Sequence, residues 1–322
     1  MIHHTSSTKS DKPISLILDS GAFSAWSKGA EVDIDAYADF ALKYEPDIDL
    51  IVNLDVIPGK PGQMGTALSL DDIEASARKG YENYRYMLRR GVPKDKLIHV
   101  FHQGESFKWL QRMVQDIPYI GISPANDRTT EQKVMWLDEC MKYACDDKGM
   151  PLVKFHGFAV TSLRIMMRYP WYSVDSTSWV MTGRMGSIMT PQKKNGGYNW
   201  LLEPRKVNVS SRSPAKSDAG EHIDSYPPRI RSEILNYFGE RGYSLGRSEF
   251  KTVSETYEPK DNERWFGKAK NGKREVEVYV EPGLCNDYKL RDELNIIYFL
   301  DLEQAMPAWP VPFRQRGGGM GL

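Results

Sequence analysis

The chain has 322 residues, 40% of them hydrophobic, enough to bury a large core as one barrel-sized domain or two smaller ones. Lys plus Arg and Asp plus Glu both number 43, so the formal net charge is zero; this argues against tight non-specific nucleic-acid binding through bulk charge and leaves room for a local basic groove. Cys140, Cys145 and Cys285, with no CxxC pair, exclude a disulfide framework or a cysteine-rich zinc site and point to a reducing, cytoplasmic setting, while no apolar run approaches the ~20 residues of a membrane span and no signal-peptide pattern is present.

Residues 1–13 read as a loose N-terminus. Strand and helix patterns then alternate from residue 14 to about 180. Ile14–Leu18 is an apolar run that stops at Asp19. Ile34–Tyr44 has helical spacing, with Asp33 placed to cap it. Leu50–Leu54 is a second strand, stopping at Asp55, and a Gly/Pro-rich loop covers Ile57–Ser69. A long helix starts at Ser69 or Asp71 and ends at Gly91. Lys96–Phe101 is the third strand and leads to His102-Gln103-Gly104; a helix follows over Ser106–Val114. Tyr119–Ile122 is the fourth strand, and Thr130–Cys145 a helix with Val134, Leu137, Met141 and Ala144 in register. Leu152–Phe155 leads to His156-Gly157-Phe158, Ser162–Arg168 is a short helix, and Trp171–Val174 is the sixth strand, before Asp175.

Six such repeats fit a (β/α)8 barrel or a doubly wound sheet. The residues just after the strands favour the barrel, because Asp19, Asp55, Gln103, Ser123, His156 and Asp175 would converge on one mouth, and no GxGxxG turn opens the first helix. Two carboxylates in one mouth can divide the roles of nucleophile and proton donor.

Beyond Trp179 the pattern weakens. Residues 181–275 read as a long excursion, with a helix over Arg231–Tyr237 and a polar, loop-like 252–275. Met181–Arg231 holds nine bases and four acids, whereas Glu31–Asp55 holds eight acids and one base; either run can also be a simple solvated face. Residues 276–322 give a strand, a terminal helix over Tyr288–Gln304 and a flexible Gly317–Gly319 tail.

At its strand ends the chain resembles the tRNA-guanine transglycosylase superfamily, and more closely the phage-type branch that places 7-deazaguanines in DNA. The resemblance rests on Asp19-Ser20-Gly21-Ala22-Phe23, Asn53-Leu54-Asp55, Gln103-Gly104, Gly121-Ile122-Ser123-Pro124, His156-Gly157-Phe158 and Asp175-Ser176-Thr177-Ser178-Trp179, in order over about residues 14–180. It departs from the tRNA enzymes in lacking their three-cysteine, one-histidine zinc site, so no metal and no cofactor are expected.

The resemblance implies exchange of guanine in DNA for a free 7-deazaguanine such as preQ0. Asp175 would be the nucleophile on the sugar and Asp19 the acid/base; the alternatives are a helix-capping and a turn aspartate. Asp55 would read the guanine edge, with Gln103 at O6 or N7. Ser20, Gly21, Phe23, Gly104, Gly121, Ser123, His156 and Gly157 would line the base site, although His156 also suits a supporting role. Arg184, Lys193, Lys194, Arg205, Lys206 and Arg212 are candidate phosphate contacts, with Trp179, Tyr198 and Trp200 as stacking groups. Competing readings are a tRNA substrate, a barrel that binds nucleic acid or a partner without catalysis, and a two-carboxylate glycoside hydrolase, which would leave Asp55 and Gln103 unexplained.

Overall fold

The structure is a computed structural model that describes residues 2–3 (backbone), 15–58, 60–62, 68–160, 162–212 and 221–313. The chain forms two compact units, Met1–Ser176 with Pro307–Leu322, and Thr177–Met306. The sequence readings of residues 4–13, Lys216 and Gly317–Gly319 lie outside the described residues.

The first unit is an α/β structure. Its elements are β1 (Ile2–His3), β2 (Ile17–Leu18), α1 (Ala22–Ser27), α2 (Ile34–Tyr44), β3 (Leu50–Val52), α3 (Leu70–Arg90), β4 (Leu97–His102), α4 (Phe107–Asp116), β5 (Tyr119–Ser123), α5 (Thr130–Ala144), β6 (Lys154–Gly157), α6 (Leu163–Arg168) and β7 (Ser173–Val174). Strands β2 to β7 are parallel, neighbour one another in chain order and form a curled sheet, and β1 pairs antiparallel with β7. Six consecutive parallel strands with helical crossovers are the arrangement of a half-barrel. Ile2 and His3 thus form a short edge strand within a segment whose sequence reads as loose.

Local chemistry explains the helix limits. Asp33 accepts the Ala36 N–H at 2.8 Å and starts α2. Ser69 and Asp72 form a reciprocal capping box at the start of α3, and Gly91 ends that helix in the left-handed region. Ile51, Leu97, Ile98, Phe101, Ile120, Ile122 and Phe155 are buried along the strands, as parallel strands covered by helices require. The returning segment packs on the same unit: Phe313 stacks on Tyr169 at 5.5 Å.

The second unit contains α7 (Ser178–Arg184), β8 (Ser187–Thr190), β9 (Gln192–Lys194), β10 (Gly197–Asn199), β11 (Arg205–Asn208), β12 (Glu221–His222), α8 (Pro228–Glu240), β13 (Arg247–Ser254), β14 (Glu263–Lys270), β15 (Lys273–Glu281) and α9 (Tyr288–Ala305). Its core gathers Ile188, Val207, Val209, Ile223, Ile234, Tyr237, Phe238, Leu284 and Leu294. Residues 252–275, loop-like in sequence, supply much of the β13-β15-β14 sheet. Their strand character is hidden because both faces carry charge, as in Glu263-Arg264-Trp265-Phe266-Gly267-Lys268.

Candidate active site

Asp19 follows β2, Asp55 follows β3 and Asp175 follows β7, so all three carboxylates stand at the carboxyl ends of parallel strands. Their electrostatics couple. Asp19 is raised above its usual range, first by burial, then by the charge of Asp55, with a smaller push from Asp175; the Ser20 and Gly21 N–H groups oppose this. By area Asp19 is an exposed residue, so it stands outside the core even though the neighbouring atoms desolvate its carboxyl. Tyr37 reports the same proximity: it donates to the Val52 carbonyl at 2.6 Å, and its phenol is pushed up by burial and then by Asp19 and Asp55.

Gly21 has φ +68 and no atom within 4 Å of an added Cβ, so the turn needs its backbone freedom rather than its small size. Ser20 is buried, and its hydroxyl reaches Asp55 Oδ1 at 3.4 Å. Phe23 is 56% exposed on the first turn of α1, so it is not a core residue.

Asp55 is held from below. His102 Nε2 lies 2.9 Å from Asp55 Oδ2, and His102 Nδ1 lies 3.1 Å from Glu105 Oε1. Burial opposes the charge on His102, but these two carboxylates outweigh it and lift the imidazole to about 10. His102 is therefore an imidazolium at neutral pH. Burial alone would raise Asp55, yet the His102 contact brings it below its usual range. The neighbouring His99 behaves in the opposite way: burial lowers it to about 3, and it stays neutral against Asn53.

Gln103 spans two strand ends. Its backbone N–H bonds the Ser123 carbonyl at 3.1 Å, and its Oε1 accepts the Ala125 N–H at 3.0 Å. That bond sets the amide orientation, with Oε1 toward the Ala125 N–H and Nε2 as the remaining donor. Gly104 takes φ +115 in the following turn. Gly121 is required sterically, because a Cβ there would stand 2.5 Å from the Phe158 ring. Gly157 is likewise enclosed by Trp171 and Val160 within β6.

Asp175 has the most ordered surroundings. Its Oδ1 accepts the Ala159 N–H at 3.0 Å and faces His156 Nε2 at 3.6 Å, beyond hydrogen-bond length. Burial raises this carboxyl, but His156 and the Ala159 N–H reverse the balance and hold it below its usual range. Ala159 itself adopts φ +54, which is uncommon for a residue with a Cβ. Behind Asp175 runs a buried chain: His156 Nδ1 meets Ser173 Oγ at 2.6 Å, and Ser173 Oγ meets Tyr119 Oη at 2.5 Å. Burial keeps Tyr119 protonated. One donor pattern that satisfies these contacts has Tyr119 donating to Ser173 and Ser173 donating to His156 Nδ1, which directs His156 Nε2–H at Asp175. His156 is 1% exposed, so it supports Asp175 from behind and does not line an open surface.

The basic candidates lie in the second unit and fall into separate places. Lys193 and Lys194 are on the β9-β10 hairpin, Arg205 and Lys206 on β11, and Arg184 at the end of α7. Lys193 lies over the Tyr198 ring at 4.9 Å. Tyr198 and Trp200 pack against the unit's own core, and Arg241 stacks on the same aromatic cluster, 3.9 Å from the Tyr237 centroid. These rings serve packing rather than free base stacking.

The sequence reading of the site missed Glu105, Ser173 and Tyr119. His102 and Glu105 are three apart, a spacing that could have marked them as a pair. Tyr119 and Ser173 are 54 residues apart, and only the fold joins them. Among the described residues no group of three or more His, Cys, Asp or Glu side chains is arranged to hold a metal ion, and no helix is long and apolar enough to cross a membrane. Comparison with protein-family models, curated proteins and solved structures finds no match to this chain.

Proposed function

We propose that the chain is a transglycosylase of (β/α)8-barrel type that exchanges guanine in DNA for a free 7-deazaguanine. The observation that carries this reading is the division of labour among three strand-end carboxylates: Asp175 is stabilised as an anion, Asp19 is biased toward its protonated form, and Asp55 is fixed by His102.

In this reading Asp175 Oδ2, which has no hydrogen-bond partner among the described residues, attacks C1′ of the nucleoside as the C1′–N9 bond breaks. The departing guanine takes its proton from Asp19. The incoming 7-deazaguanine returns a proton to Asp19, its N9 bonds to C1′, and the Asp175 carboxylate leaves unchanged. Asp55 is suited to accept the N1–H and amino donors of either base, and Gln103 Nε2 to donate to O6. The exposed Phe23 offers a ring face at the mouth. A base in a duplex must leave the stack to reach such a site.

The test is incubation with preQ0 and either duplex DNA or bulk tRNA, followed by digestion and mass spectrometry of nucleosides. Deazaguanosine in DNA supports the reading. Product in tRNA alone transfers the activity to RNA, and no product with either polymer counts against base exchange.

A further inference from the structure

The second unit contains a cavity of about 460 Å³ lined by Arg184, Ser210, Arg212, Arg264, Tyr288 and Arg291, among others. Four arginines converge on it from four elements of chain: the end of α7, the segment after β11, β14 and α9. Sequence reading singled out Arg184 and Arg212 as separate points in a basic stretch, and Arg264 and Arg291 not at all.

Backbone carbonyls anchor Arg291 and Arg212, and a single buried carboxylate, Glu277, is shared between Arg212 and Arg264. Arg291 is 5% exposed and donates to two backbone carbonyls, Gly183 at 2.7 Å and Leu284 at 2.6 Å. Arg212 donates to the Trp265 carbonyl at 2.6 Å and lies over the Phe266 ring. Arg264 donates from Nε to the buried Glu277 at 3.1 Å and lies over the Tyr279 ring. The side chain of Arg184 is exposed and makes no hydrogen bond or ion pair among the described residues.

The acids that act on these arginines are Glu277, which Arg212, Arg264 and Ser211 share, Asp287 beside Arg291, and Asp292, which feels the charge of Arg184 and then of Arg291. Three acids against four arginines leave an excess of one positive charge even with every carboxylate ionised. Burial and the mutual repulsion with Arg264 hold both Arg212 and Arg291 below the usual guanidinium range. Crowded, partly desolvated guanidinium groups around a space of this volume are relieved by an anion.

We propose that this cavity is a phosphate-binding site, in which Arg184, Arg212, Arg264 and Arg291 take a phosphodiester of a polynucleotide strand. The planar donor forks of arginine match phosphate oxygens, and carbonyl-anchored guanidiniums are already oriented for them. The choice of a polynucleotide as the source rests on the proposed function; the affinity for phosphate does not depend on base exchange.

The experiment measures binding of a short fluorescein-labelled DNA by anisotropy over a salt series, for the wild type, Arg184→Gln, Arg264→Gln and the charge-matched control Lys79→Gln, with inorganic phosphate as competitor. Arg184→Gln is the primary variant, because its side chain has no internal bond to lose; circular dichroism checks the fold of each. Each pocket variant is expected to weaken DNA binding about tenfold and to reduce the salt slope by about one phosphate contact. Lys79→Gln, which removes one exposed positive charge outside the pocket, should bind as the wild type does. Folded pocket variants with wild-type affinity and slope would overturn the proposal. Phosphate competition with unchanged DNA binding by the variants would overturn the polynucleotide source. Intact binding through the pocket without base exchange would count against the proposed function and leave this site standing.

Discussion

Replacing His102 by Gln tests the electrostatic arrangement under Asp55. His102 sits between Asp55 at 2.9 Å and Glu105 at 3.1 Å. Its imidazole rises from 6.5 to about 10 in the folded protein. A tenfold change in proton affinity corresponds to about 1.4 kcal/mol, so this rise has an upper value of roughly 5 kcal/mol. The side chain is still a quarter exposed, and solvent screens part of that, so a loss of about 3 kcal/mol is the working figure for a broken buried pair.

The sign follows from a folded value above the unfolded one. The stabilisation is fully present below about pH 6.5 and disappears as pH rises through about 10. Urea denaturation of wild type and His102→Gln should therefore differ by about 3 kcal/mol near pH 6 and converge above about pH 10. Asp55 should also titrate higher in the variant, because burial then acts without its counter-cation. A difference under about 1 kcal/mol near pH 6, or one that does not shrink with pH, would refute the paired imidazolium.

Further predictions concern the other parts of the site. Gly121→Ala places a Cβ 2.5 Å from the Phe158 ring and should lower stability by about 1–3 kcal/mol in thermal unfolding, with Phe158→Leu recovering part of the loss. Asp19 should titrate above 3.8 in a carboxyl-detected NMR experiment and move down in Asp55→Asn, where the neighbouring negative charge is gone; a value at or below 3.8 contradicts its acid/base role. Ser173→Ala and Tyr119→Phe interrupt the chain behind His156, so Asp175 should titrate higher and base exchange should lose kcat with KM unchanged. Equal changes in stability with no movement of the Asp175 titration would make that chain a packing feature only.

Much of the first unit is legible because its signals are local. Asp33, Ser69 and Gly91 mark helix ends by capping chemistry, and the apolar runs before Asp19, Asp55 and Asp175 stop where the strands leave the core. Helix α1 is hidden because Ala22–Ser27 is too short to show a period. His102 and His156 read as residues after their strands, but His102 closes β4 and His156 lies within β6, since the pairing extends past the apolar run. The strands β13 and β14 are masked by charge that the fold pairs within the sheet, as in Lys251 of β13 and Glu263 of β14, which meet at 2.6 Å across the central strand β15. The four-arginine cavity is invisible in sequence because its members span residues 184 to 291 and meet only in three dimensions.

The central claim is that Asp175 forms a bond to the sugar. The direct measurement is intact-protein mass spectrometry and denaturing gel analysis after incubation with guanine-containing DNA, with and without preQ0. The account predicts a covalent protein–DNA adduct that maps to Asp175, is discharged by preQ0 with deazaguanine left in the DNA, and is absent in Asp175→Asn. Base exchange at the wild-type rate by Asp175→Asn, or an adduct mapping to another residue, would contradict it.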